Sequence, residues 1–166
     1  MRYNRLIPAL AVVIACAGST CLVHAQTKPQ RAAGWFVALI KKDKPGIDKE
    51  LGASKKTYGT NTYKIEGFDS LALMYDITKN PKGVPFVSTL VYSANNLNWK
   101  DALKQAGIDA TNLTAKKVSN SGIVSLKISG IKGLKSDWEV DFTPEFADPA
   151  THAKHSALTI GEAGKD

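Results

Sequence analysis

The sequence predicts an α+β domain: an antiparallel or mixed sheet of about five to six strands with one or two helices packed on one face. Three observations lead there. Apolar side chains recur with a two-residue period within Tyr63–Ile77, Ile123–Ile128 and Trp138–Phe142, and Phe86–Ala94 is strongly β-branched. A clear helical signature is confined to one segment, Asn98–Gly107. The strand-like runs follow one another instead of alternating with helices, which disfavours a parallel βαβ layout.

The elements are expected in this order. The run "WFVALI" from Trp35 to Ile40 is continuous, apolar and ended by Lys41-Lys42, and reads as a buried strand. Pro45-Gly46 turns the chain, and Ile47 to Leu51 form a short helix closed by Gly52. Tyr63 and Ile65 share one strand face; Leu71, Leu73, Tyr75 and Ile77 share another, with Gly67 to Ser70 turning between them. That is a hairpin. Lys79 to Pro85 is turn chemistry, followed by the β-branched strand "FVSTLVYSA". Asn98 is a good N-cap; Asp101 complements the dipole of the first turn; Trp99, Leu103 and Ala106 form one apolar face; Gly107 ends the helix. Asp109 to Ser121 is polar and irregular. Val124, Leu126 and Ile128 then point inward from a strand, as do Trp138, Val140 and Phe142 from the last one. Pro144 and Pro149 are expected to stop regular structure, leaving residues 147–166 as a flexible tail. The globular domain therefore spans residues 35–146, with no internal repeat.

The N-terminus reads as an export signal. Arg2 and Arg5 open it, Leu6 to Ala17 is apolar, and Val23-His24-Ala25 offers the small-x-small cleavage pattern. Residues 1–25 are thus a signal peptide and 26–34 a polar linker containing Pro29. The apolar run is too short for a membrane span of ~20 residues. Val13-Ile14-Ala15-Cys16 loosely resembles a bacterial lipobox, and only lipidation of Cys16 would tether the chain to a membrane. The expected location is periplasmic or secreted. Cleavage removes Cys16 and Cys21, the only two cysteines, and with them any thiol nucleophile, thiolate metal site or disulfide. It also removes two arginines and no acid, lowering the formal charge from +7 to +5.

That charge is almost wholly lysine; Arg31 is the one arginine left. Lysine supplies solvated point charges and lacks the bidentate fork that reads phosphates and guanine edges, so nucleic acid is not expected as a partner. An acidic partner protein, an anionic envelope polymer and a membrane surface all stay open, because net positive charge speeds such encounters. Asn112-Leu113-Thr114 is a glycosylation sequon, relevant only in a eukaryotic host.

Catalytic signals are weak. His152 and His155, in "HAKH" after Asp141, Glu145 and Asp148, are the only metal-ligand candidates, and they sit in the expected tail between proline breaks. No serine occupies a G-x-S-x-G elbow. Glu139 and Asp141 alternate with apolar residues and read as solvent-facing; a carboxylate pair drawn from Asp69, Asp76, Asp101, Glu139 and Asp141 is the remaining route to a hydrolase. "GIKGLKSDW" lacks the spacing of a phosphate loop and reads as a hairpin turn. Trp35, Trp99 and Trp138 each lie on the apolar side of their element and read as core; Tyr58, Tyr63 or Tyr92 would be the stacking surfaces of a small-molecule or polysaccharide binder.

The expectation is therefore a non-enzymatic exported binding protein without a cofactor, acting through a protein–protein surface, as an inhibitor or immunity-type protein does. A carboxylate hydrolase of the envelope and a small-molecule or polysaccharide module are the alternatives. Exposed hairpin tips carry the candidate partner contacts: Lys79, Asn80 and Lys82 in one, Lys132 and Lys135 in the other.

Overall fold

A computed structural model describes residues 31–57, 59–75, 83–120, 123–148 and 151–163. The signal-peptide reading, most of the linker, and Lys79, Asn80 and Lys82 lie outside the described residues.

The strands are β1 (Lys55–Thr57), β2 (Thr60–Tyr63), β3 (Ser70–Met74), β4 (Val87–Tyr92), β5 (Thr114–Asn120), β6 (Ile123–Ser129), β7 (Trp138–Ala147) and β8 (Lys154–Glu162). They form one eight-stranded sheet in the order β1-β2-β3-β4-β8-β7-β6-β5, with every pairing antiparallel. Two four-stranded meanders are thus joined along β4 and β8. The α+β expectation of five to six strands is corrected to eight. The two unexpected edge strands are β1 and β5; Lys55 and Lys56 of β1 and residues 114–119 of β5 are exposed, so no apolar alternation marks them.

Helices α1 (Trp35–Leu39), α2 (Lys44–Leu51) and α3 (Trp99–Gln105) supply Phe36, Leu39, Ile47 and Leu103 to the same core cluster as the sheet. Strand register shows which sheet face they cover. Tyr63 pairs with Leu71, Leu71 with Leu90, Leu90 with Leu158, Leu158 with Phe142 and Phe142 with Leu126. That is one continuous apolar row across six strands, and its first five members are at most 1% exposed. The opposite face carries Thr62, Ala72, Thr89, Thr159, Asp141 and Lys127 in one such row, and none of these is fully buried.

The "WFVALI" run is helical, not extended. A short apolar run has the same signature in a buried helix as in a buried strand, and the contacts decide the case. Gly34, at φ 74°, starts α1; its amide donates to the Gly107 carbonyl, and the Phe36 amide donates to the Ala106 carbonyl. The segment is thereby docked on the end of α3 with no strand partner. Pro45 and Gly46, read as a turn, belong to the first turn of α2, where the Asp43 side chain accepts from the Gly46 amide.

The larger correction concerns the tail. Residues 154–162 are not a flexible end but β8, the strand joining the two meanders. Pro144 does not end β7 either: the strand continues past it through an irregularity between Thr143 and Phe146, where a bulge accommodates the missing amide. The Pro144 carbonyl accepts from the Ser156 hydroxyl and the Asn96 amide, so the bulge is fully held. Among the described residues, no helix is long and apolar enough to cross a membrane.

Gly107 fixes how α3 meets the N-terminal segment. Its φ is 72°, and a Cβ there would stand 2.3 Å from the Ala32 carbonyl oxygen. Gly107→Ala is expected to cost more than about 2 kcal/mol through left-handed backbone strain and that backbone clash. Urea titration measures it; a loss below about 0.5 kcal/mol would contradict the close approach.

Candidate protein-binding groove

The helical side carries a cleft of about 530 Å³ between α1, the α3–β5 connection and the β6–β7 loop. Its apolar surface comes from Val37, Ile108, Leu113 and Ile131, and its charged rim from Lys41 and Lys132. A second cavity of about 510 Å³ shares Ala33, Gly107, Ile108 and Asp109 with it and adds Arg31, Lys100 and Lys104. The two cavities adjoin, and their lysines and arginine are accompanied by Asp101 and Asp109.

Each wall has a local cause. Helix α1 buries Phe36, Val37 and Leu39, which delivers Lys41 to solvent just past its C-terminus. The Asp109 carboxylate accepts from the Thr111 amide at 3.0 Å and from the Thr111 hydroxyl at 2.5 Å, an Asx-type turn that sets the loop before β5. Those hydrogen bonds, with a smaller contribution from the charge of Lys132, hold Asp109 below the ordinary carboxylate range. The β6–β7 loop is not a free tip. Ile131 and Leu134 pack against the core, and Gly133 lies beside Lys41 and Val37.

Of the sequence-predicted contacts, Lys132 lines this groove. Lys135 faces a separate depression with Leu134 and Trp138, its Nζ 5.5 Å from the Trp138 ring centroid. Lys41 was not foreseen, because a run read as a strand gave no direction for the residue that follows it. Arg31 has its guanidinium over Trp35 at 4.8 Å and donates to the Glu66 carbonyl at 2.8 Å, so it buttresses the rim.

The remaining candidates separate. His152 sits in the turn before β8, exposed, with φ 56°; His155 lies within β8, its ring 5.7 Å from Phe146 and its Nδ1 3.6 Å from an Asp69 oxygen. One lies in the turn and the other within the strand, so they do not share a helix face from which a metal could be held. No cluster of three metal-donor side chains occurs among the described residues. Glu139 pairs with Lys127 on the open sheet face, Asp101 is in α3, and Asp69 precedes β3 at the end of the sheet near His155. Asp76 and Tyr58 lie outside the described residues. Tyr63 and Tyr92 are buried, with hydroxyls donated to Asp48 and the Ala102 carbonyl, and offer no stacking surface. Trp138 is core as expected, whereas Trp35 and Trp99 are only partly buried.

No protein-family model, curated protein or solved structure matches this chain.

Proposed function

We propose that this chain is an exported binding protein, periplasmic or secreted, that acts through a protein–protein surface, and that the basic groove receives an acidic segment of its partner. One observation carries the reading: Lys41 and Lys132 rim an apolar groove, and neither makes an ion pair within 4.0 Å with a described residue. Other lysines are committed, with Lys42 on Glu50, Lys44 on Asp48, Lys127 on Glu139 and Lys154 on Glu145. A groove with an apolar base, a Lys41 that has no ion pair with a described residue and a Lys132 that Asp109 only partly offsets fits an aliphatic side chain flanked by carboxylates. Export rests on the charged, apolar and small-residue pattern of residues 1–25. An inhibitor of an acidic protein fits these features.

Lys41→Glu/Lys132→Glu is the test. Both side chains are exposed, so stability should change by less than about 0.5 kcal/mol per site. Retention of the partner from envelope extract, compared between equal amounts of wild-type and variant protein, should fall by about tenfold or more and weaken with added salt. Equal retention by both proteins would overturn the reading.

A further inference from the structure

We propose that the partner segment also extends the sheet, pairing as a ninth, antiparallel strand with the outer edge of β5. This deepens the groove reading and rests on it.

The geometry points to β5 because the groove adjoins its first residue. Leu113, in the groove, immediately precedes β5, and Gly130 to Lys132, on the opposite wall, immediately follow β6. The groove therefore lies at the end of the β5–β6 hairpin where β5 begins. That edge is seven residues long, about 23 Å at ~3.3 Å per residue. It ends the sheet order, so among the described residues no strand pairs with its outer side. Alternate amides and carbonyls of such an edge point outward and accept a strand.

Lysines on an edge often serve only to prevent association. Here Lys116 and Lys117 are consecutive, so they project from opposite faces of the strand, and neither has an ion pair with a described residue. A protective role alone leaves the rest of the hairpin unexplained. Val118, Ile123 and Val124, at its far end, are 37%, 55% and 37% exposed, three of the five exposed large apolar residues. A second copy of this chain is a poor occupant. Antiparallel β5–β5 pairing about the midpoint of the strand sets Lys117 opposite its own copy, and like charges placed directly opposite are destabilising.

The occupant that complements this edge is an extended acidic segment of another protein. Running antiparallel to β5, it places an apolar residue opposite Val118 and then acidic residues opposite Lys117 and Lys116. It then passes Thr114 into the groove between Lys41 and Lys132. The recognised sequence is therefore apolar-acidic-acidic in a β-forming context, read by backbone hydrogen bonds for affinity and by the lysines for register.

The probe is a fluorescein-labelled peptide, Thr-Thr-Val-Glu-Glu-Val-Thr, titrated into the purified protein by anisotropy and followed by amide chemical shifts. Binding with the largest shifts in β5, loss of about tenfold or more for Lys116→Glu/Lys117→Glu, and loss on N-methylating the alternate peptide amides that face β5 are expected. A Lys-for-Glu peptide should not bind. Binding that survives both the double variant and N-methylation would overturn the strand pairing. So would sedimentation showing a dimer of this chain that depends on β5. The two readings fail separately. If Lys41→Glu/Lys132→Glu lowers partner retention while Lys116→Glu/Lys117→Glu leaves peptide binding and partner retention unchanged, the edge proposal is wrong and the groove stands. If only Lys116→Glu/Lys117→Glu lowers them, the groove is refuted and the edge stands; the peptide spans β5 alone and should bind the Lys41→Glu/Lys132→Glu variant unchanged.

Discussion

Deletion of residues 151–166 is expected to abolish cooperative folding. Strand β8 is hydrogen-bonded on both sides, to β4 over Val87–Tyr92 and to β7 over most of its length. Leu158 and Ile160 are fully buried, at the centre of the apolar rows of the sheet. Burying each such side chain contributes about 1.5–3 kcal/mol. Their loss, with two ladders of backbone groups left unpaired, approaches the whole stability of a typical domain, about 5–15 kcal/mol. The deletion also removes the element joining the meanders, so the walls of the groove lose their common support. Far-ultraviolet circular dichroism during urea unfolding is the measurement. A truncated protein that keeps a sigmoidal transition with an unchanged midpoint would show that β8 is dispensable.

Phe142→Ala is expected to cost about 3–5 kcal/mol. The ring is 0% exposed and lies between Leu158 and Leu126 in the row that spans six strands. No nearby side chain is free to fill the space, because the row is continuous and its helical cover is anchored by Phe36 and Leu103. The slope of the urea transition should stay constant while the midpoint falls. A loss below about 1 kcal/mol would mean the ring is not enclosed. Asp141→Ala, one position earlier and on the opposite face, should cost far less, which separates burial from strand propensity.

The sequence was legible where one face of an element is buried and the other is wet. Leu71 and Leu73 share a strand face, Val140 and Phe142 alternate inward, and both readings hold; Leu90 and Tyr92 lie in a strand that was readable from its β-branched residues alone. Asn98 marked α3 because its side chain caps the Lys100 amide, as the residue type predicts. Three segments were misread for separate reasons. "WFVALI" is apolar on all sides because α1 is wedged against α3, so its period carried no information. β5 is exposed from Thr114 through Ser119, so burial left no pattern in "TAKKVS". β8 was hidden by the proline rule. Pro144 lies in a bulge, and the buried members of β8 include a polar and a small residue, Ser156 and Ala157, that neighbouring strands flank on both sides. Of the groove, Lys132 was legible as a loop cation; Lys41 was not, since its direction depends on α1 being helical.

The groove and the β5 edge both depend on residues 154–162 joining the two meanders as β8. Native-state amide hydrogen exchange tests this directly. The backbone amides within β8, Leu158 and Ile160 among them, should exchange only through global unfolding, with opening free energies equal to that from urea titration and to those of β4. Exchange of residues 154–162 at the rate of an unstructured peptide, with β4 still protected, would contradict the account.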